Sequence, residues 1–163
     1  MSASRNWGQT PDRLQHALDL AYRYLGHRDR TVAEIRRHLE AKRVEPATID
    51  AAVGVLHEQG YLDDARFAQR FAEDRRALDA WGAERIERKL RDAGVPAEHI
   101  EAALGTQSSD EAREAAIALL RRRLSTPPKD DRGRERALGL LVRRGYDLDL
   151  AYDAVRTYER DAA

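Results

Sequence analysis

Apolar residues recur along most of the chain at the three- and four-residue spacing of an amphipathic helix. The first such segment carries the stripe Leu14, Ala17, Leu18, Ala21 and Leu25. Similar stripes follow in every later segment, and the fourth segment carries Phe67, Ala68, Phe71 and Leu78. None of the segments shows the strict alternation of apolar and polar residues that is typical of a strand. The pattern therefore predicts an all-α fold.

Residues that begin helices stand between these segments. Thr31 and Glu34 have the spacing of a capping box, in which each side chain accepts a hydrogen bond from the other residue's amide. Ser108 is followed by a glutamate at the same spacing, and Pro46 suits the first turn of a helix. These signals divide the stripes into nine predicted helices.

The apolar stripes repeat at an interval of 51 residues. Equivalent positions are occupied by Leu39, Leu90 and Leu141; by Ala52, Ala103 and Ala154; and by Val53, Leu104 and Val155. Units of about 50 residues bury their stripes partly against their neighbours. We therefore expect a tandem array of three three-helix repeats, elongated and curved, in which a flexible tail (residues 1–10) precedes repeats at 11–60, 61–106 and 107–163.

Charge and composition narrow the class of protein. The 29 basic residues balance 29 acidic ones, so the chain has no overall basic signature for nucleic acid. Only three of the basic residues are lysines, and arginine suits both ion-pair networks and the recognition of polyanions. The chain has no cysteine, no apolar run long enough to cross a membrane and no secretory signal. We expect a cytoplasmic protein.

The sequence offers no reaction centre. Its five histidines are scattered and form no HExxH motif, and no phosphate-binding glycine loop is present. Asp63 and Asp64 could pass for a metal or acid–base pair, but capping of the following helix explains them better. We therefore expect no enzymatic activity, no cofactor and no metal.

The remaining polar signals are cationic clusters. They comprise Arg75, Arg76, Arg85, Arg88, Lys89, Arg121, Arg122, Arg123, Arg143 and Arg144. Each cluster fits either a solvated helix face or a surface that binds acidic protein or DNA phosphates. Trp81 and Tyr61 lie close to predicted loops, where packing in the core or between repeats is favoured over base stacking.

The stretch from Gly60 to Ala68, followed by Trp81-Gly82 and by the run from Arg85 to Val95, resembles the RecX family of recombinase regulators. The run from Arg28 to Leu39 is similar to the first repeat motif of that family. The resemblance covers residues 14–104 well and the remainder more weakly. It implies tandem three-helix repeats, in agreement with the 51-residue interval.

The resemblance also implies a function. It implies binding within the groove of the RecA–DNA filament and inhibition of strand exchange and of ATP hydrolysis, with a basic surface facing the filament and its DNA. The residues that match the motif, Asp63, Asp64, Phe67, Gly82 and Leu90, are architectural. The chain departs from the family pattern just before Gly82, where Asp79-Ala80-Trp81 replaces a more basic run.

Three functions are consistent with the pattern. We expect a monomeric regulator of the RecA filament. The alternative is a DNA-binding transcription regulator in which residues 31–61 form a helix-turn-helix and Gly60-Tyr61 opens a wing. A wing is made of strands, whereas residues 63–78 have helical spacing. A scaffold for another protein is the third possibility.

Overall fold

The computed structural model describes residues 10–163, and all of the regular structure in this range is α-helical. The helices are α1 (Thr10–Leu25), α2 (Val32–Ala41), α3 (Pro46–Glu58), α4 (Asp64–Asp79), α5 (Ala83–Asp92), α6 (Ala97–Leu104), α7 (Ser109–Arg123), α8 (Asp131–Arg144) and α9 (Leu148–Asp161). The all-α prediction is confirmed. The predicted tail lies outside the described residues, apart from Thr10, which begins α1.

Both predicted capping boxes are formed. The Thr31 hydroxyl accepts a hydrogen bond from the Glu34 amide at 3.1 Å, and the Glu34 carboxylate accepts one from the Thr31 amide at 3.4 Å. Ser108 and Glu111 make the same reciprocal pair at the start of α7. A cap of this kind contributes about 1 kcal/mol to the stability of its helix.

The two aspartates before α4 have separate structural roles. Asp63 caps α4, because its carboxylate accepts a hydrogen bond from the Arg66 amide at 3.0 Å. Asp64 instead accepts one from the Val32 amide at 3.0 Å, at the start of α2. Capping of the following helix is therefore confirmed for Asp63, whereas Asp64 has a structural role at the start of α2 instead.

The described residues fall into two compact units. The first extends to Phe67 and includes Ala93–Pro96. Its core is formed where α1, α2 and α3 pack on one another, and it buries Ile35, Leu39 and Leu56 completely. The Thr31 hydroxyl also donates a hydrogen bond to the Ala93 carbonyl at 2.6 Å.

The second unit comprises Ala68–Asp92 and Ala97–Ala163. Helix α9 packs against α7 and α8, and α5 packs against α6. Leu120 and Leu141 lie in the core between α7, α8 and α9. Leu78, which the helical pattern places on the apolar stripe of α4, is 73% exposed, so that prediction is wrong. The boundaries of the three repeats stay predictions, because these two units do not test them.

The 51-residue interval is visible in both packing and backbone. Leu39, Leu90 and Leu141 are all fully buried. After α2, α5 and α8 the backbone enters the left-handed region at Arg43 (φ 62°), Gly94 (φ 78°) and Gly145 (φ 97°).

The latter two positions are closely packed as well. A β-carbon on Gly94 would lie 2.3 Å from that of Ala33, and one on Gly145 would lie 2.3 Å from that of Arg85. Arg43, at the equivalent turn after α2, is exposed, and its side chain is accommodated there. Glycine is therefore required where a neighbouring segment packs on this turn.

None of the helices within residues 10–163 combines the length and the apolar character needed to cross a lipid bilayer.

Candidate interaction surface around Trp81

The loop between α4 and α5, residues 79–82, is fixed to the end of α8 by backbone hydrogen bonds. The Gly82 amide donates to the Arg144 carbonyl at 2.8 Å, and the Glu84 amide donates to the Gly145 carbonyl at 3.0 Å. These bonds join segments that lie about sixty residues apart in the chain. The loop is therefore part of the second unit's rigid framework.

The two backbones approach so closely that a side chain does not fit between them. A β-carbon on Gly82 would lie 2.5 Å from the carbonyl carbon and oxygen of Gly145 and from the Tyr146 nitrogen. Contacts this short with backbone atoms are relieved only when the backbone itself moves. The close approach explains why glycine stands at both positions.

Ala80 adopts a conformation that only this packing explains. Its φ of 53° lies in the left-handed region, which costs a residue with a β-carbon about 1–2 kcal/mol. The Tyr146 hydroxyl donates a hydrogen bond to the Ala80 carbonyl at 2.9 Å, and the Arg144 guanidinium donates one to the Asp79 carbonyl. These bonds offset the strain and fix the direction in which Trp81 leaves the loop.

Trp81 lies among arginines rather than in the apolar core. Its half-buried ring has the Arg85 guanidinium carbon 4.1 Å from its centre and that of Arg75 5.7 Å from it. The edge of Phe71 contacts it with the ring centres 6.1 Å apart. Arg75 is held by an ion pair with Asp79 at 2.5 Å. Cations near an indole ring are attracted to its face, so the arginines and Trp81 stabilise one another.

Cationic residues of α5 lie beside the C-terminal end of α8 near this ring. Arg85 donates a hydrogen bond to the Arg143 carbonyl at 3.2 Å. Arg88 and Lys89, further along α5, are exposed, as is the side chain of Arg143. Two clusters that are well separated in the sequence are therefore adjacent in space.

The Arg76 side chain forms hydrogen bonds within the second unit. Its guanidinium donates to the Thr106 hydroxyl at 2.9 Å and to the carbonyls of Ala103 and Leu104 at 3.3 Å, which satisfies the end of α6. Burial lowers the pKa of Arg76, and the nearby Glu111 opposes this. Its Nη1 and Nη2 groups are committed to the end of α6, whereas its buried Nε has no hydrogen-bond partner among the described residues. Because its terminal donors are committed, we leave Arg76 out of the surface proposed below.

The three arginines at the end of α7 are exposed, where the helix dipole favours cations. Arg121 lies 3.8 Å from Asp161, a surface pair that contributes little. Arg122 lies near Tyr146: burial raises the pKa of the Tyr146 hydroxyl, and the positive charge of Arg122 partly offsets this. Arg122 therefore belongs to the surroundings of the loop, whereas no contact in the described structure joins Arg123 to it.

We call the residues that meet at this loop the Trp81 cluster. They are Arg75, Trp81, Arg85, Arg122, Arg143 and Arg144. In the sequence, the five arginines of this cluster fall into separate groups, and Trp81 is predicted to pack in the core or between repeats. The signal that could have joined them is the four-residue spacing of Phe71, Arg75 and Asp79 before the tryptophan and of Arg85 after it.

The described residues contain no group of three or more histidines, aspartates or glutamates arranged to bind a metal ion. An open cavity of about 450 Å³ lies beside the first turns of α7 and α9. Three of its four aspartates already have roles: Asp110 and Asp153 pair with Arg113 at 3.6 and 3.2 Å, and Asp147 caps α9. This cavity is accounted for by the fold.

The three-helix packing and the cation-lined loop within the second unit are typical of a helical-repeat protein, a class that presents side chains over a broad binding surface. The model of the first three-helix domain of RecX matches residues 17–56, and that of the second three-helix domain matches residues 63–104. The regulatory protein RecX of Stenotrophomonas maltophilia is 38% identical over 154 residues, which cover 94% of this chain and 89% of that protein. The chain belongs to the RecX family.

Other relatives agree with this assignment. The regulatory protein RecX of Trichlorobacter lovleyi is 37% identical over 134 residues, covering 80% of this chain and 87% of that protein. The crystal structure of RecX from Lactobacillus salivarius has a TM-score of 0.80 at 18% identity, over 92% of this chain and 99% of that one. A second RecX crystal structure has a TM-score of 0.75 at 22% identity, over 91% and 75%. The likeness to both confirms the fold.

Proposed function

We propose that this protein is a non-enzymatic regulator, mainly an inhibitor, of a RecA recombinase. It would bind the groove of the RecA–DNA filament as a monomer and reduce strand exchange and ATP hydrolysis. Membership of a family of regulatory proteins supports this proposal. The observation that carries it is the Trp81 cluster, because it concentrates cations from four helices in a chain whose net charge is zero.

The proposed partner surface is anionic. A RecA–DNA filament offers acidic protein side chains and DNA phosphates, and arginine binds both through paired hydrogen bonds. Arg85, Arg143 and the exposed Arg88 and Lys89 are the residues we propose to make these contacts. Arg121, Arg122 and Arg123 would extend the surface along the end of α7.

The transcription-regulator alternative is less well supported. Its wing would need strands directly after Tyr61, and Asp64–Asp79 forms helix α4 instead. Tyr61 itself is 55% exposed and packs its ring edge against Tyr22, with the ring centres 5.8 Å apart. We therefore retain the filament as the partner.

Binding to preformed filaments tests the proposal. RecA is assembled on single-stranded DNA with a slowly hydrolysed ATP analogue, and this protein carries a fluorescent label read by anisotropy. Arg143→Glu should weaken binding about tenfold, equivalent to ~1.4 kcal/mol. Arg132→Glu, an exposed arginine in the first turn of α8, makes the same charge change and should leave affinity within about twofold.

Other outcomes would contradict the proposal. Binding to free RecA and to filaments with equal affinity would exclude the filament groove as the binding site. Tight binding to one particular duplex sequence, without RecA, would favour the transcription regulator.

A further inference from the structure

The Trp81 ring and the Arg85 guanidinium form a pair of planar groups at the surface of the second unit. We propose that this pair is a stacking platform for a base of single-stranded DNA, and that it makes the surface sensitive to bases as well as to phosphates. This inference rests on the proposed function in one respect only, which is that the protein would meet single-stranded DNA in the RecA filament. The contact itself can be tested without RecA.

The chemistry of the pair fits a nucleobase. Bases stack both on aromatic rings and on the plane of an arginine guanidinium. Arg85 lies over the indole at 4.1 Å, so a base can continue the stack on Arg85 or replace it on Trp81. Both side chains are partly exposed, and neither belongs to the buried apolar cluster formed by α7, α8 and α9.

The platform is held in place before any ligand arrives. The Trp81 amide donates to the Arg75 carbonyl at 3.2 Å, and Arg85 donates to the Arg143 carbonyl at 3.2 Å. The backbone bonds of Gly82 fix the loop between them. A preorganised surface loses little side-chain freedom on binding, so more of the stacking energy appears as affinity.

The charges beside the platform favour a nucleic acid over an acidic peptide. Arg143, Arg88 and Lys89 are exposed and belong to the two helices that are adjacent at the platform, which makes them available to the phosphates of a stacked strand. Asp79, the acidic group of the loop, is already paired with Arg75. A carboxylate would be attracted to the cations alone and would gain nothing from the indole, whereas a nucleotide uses both.

Tryptophan fluorescence provides the assay. The chain has two tryptophans, so in the Trp7→Phe variant Trp81 is the sole source of tryptophan emission. The ligands are a twelve-nucleotide oligothymidylate and an abasic strand of equal length and charge. We expect oligothymidylate to quench Trp81 and to bind about tenfold more tightly than the abasic strand, because each stacked base adds affinity.

Two variants separate stacking from charge. Trp81→Leu should reduce oligothymidylate affinity to that of the abasic strand. Since this change could loosen the loop, Arg85→Lys is the second variant, because it keeps the charge and removes the planar guanidinium. It should reduce the preference for bases without abolishing it, since Trp81 remains, while abasic binding stays within about twofold. Circular dichroism confirms that each variant is folded.

The results that overturn the inference are distinct from those that overturn the regulator. Equal affinity for the two strands, absence of quenching, or equally tight binding of a twelve-residue polyglutamate would each exclude the platform. Filament binding measured with RecA would stand unaffected by these results. Conversely, a clear base preference combined with no filament binding would support the platform and reject the regulator.

Discussion

Replacement of Gly82 by alanine should destabilise the second unit and misplace Trp81. The added β-carbon would meet the carbonyl carbon and oxygen of Gly145 and the Tyr146 nitrogen at 2.5 Å. All of these are backbone atoms, and no side-chain rotation relieves the overlap. The loop and the end of α8 must therefore separate.

The separation has two costs. Inserting a methyl group where packing is already complete costs about 1–3 kcal/mol. The hydrogen bonds from the Gly82 amide to Arg144 at 2.8 Å and from the Glu84 amide to Gly145 at 3.0 Å would be stretched, each contributing about 0.5–1.5 kcal/mol. We therefore expect Gly82→Ala to lower the free energy of unfolding by about 2–6 kcal/mol.

Urea unfolding followed by circular dichroism measures this change, and Gly54→Ala is the matched control. Gly54 lies within α3, and no atom lies within 4 Å of the position its β-carbon would take. Because alanine is the better helix former, Gly54→Ala should stabilise the protein by about 0.5–1 kcal/mol. A Gly82→Ala variant within about 0.5 kcal/mol of the unchanged protein would refute the close-packed junction.

Three further expectations follow from individual contacts. Thr31→Ala removes a cap and should cost about 1–2 kcal/mol in urea unfolding, whereas an unchanged midpoint would contradict its capping role. Burial in the folded state raises the pKa of Tyr146 above its ordinary value of 10, so the Tyr146 hydroxyl contributes its full stabilisation below pH 10 and loses it as the pH rises through the folded pKa. The difference in unfolding free energy between the unchanged protein and Tyr146→Phe should therefore narrow above pH 10, and a constant difference would argue against burial. Joint charge reversal of Arg121, Arg122 and Arg123 should weaken filament binding while the melting temperature changes by less than about 3 °C; unchanged affinity would remove these residues from the surface.

The fold could be predicted largely from local patterns. Thr31 and Ser108 cap the starts of α2 and α7 through short-range hydrogen bonds, and Pro46 occupies the first position of α3 as expected. The 51-residue interval identified the fully buried Leu39 and Leu90 because identical packing environments select similar side chains. Such signals need only a few neighbouring residues.

The site could be predicted only in part, because it depends on contacts between distant segments. Arg76 and Arg144 have the same appearance in the sequence as an exposed arginine, yet their donors satisfy carbonyl groups 27 to 65 residues away. Leu78 follows the helical stripe and is nevertheless 73% exposed. Periodicity shows which residues share a helix face, whereas tertiary packing decides which face is covered.

Regulation of RecA by this protein is tested most directly by measuring ATP hydrolysis by RecA on single-stranded DNA, with this protein titrated from far below to equal stoichiometry. We expect hydrolysis to fall, and inhibition at well under one molecule per RecA subunit would indicate that filament growth is blocked. Unchanged hydrolysis at equal stoichiometry, with the protein folded and helical, would contradict the account.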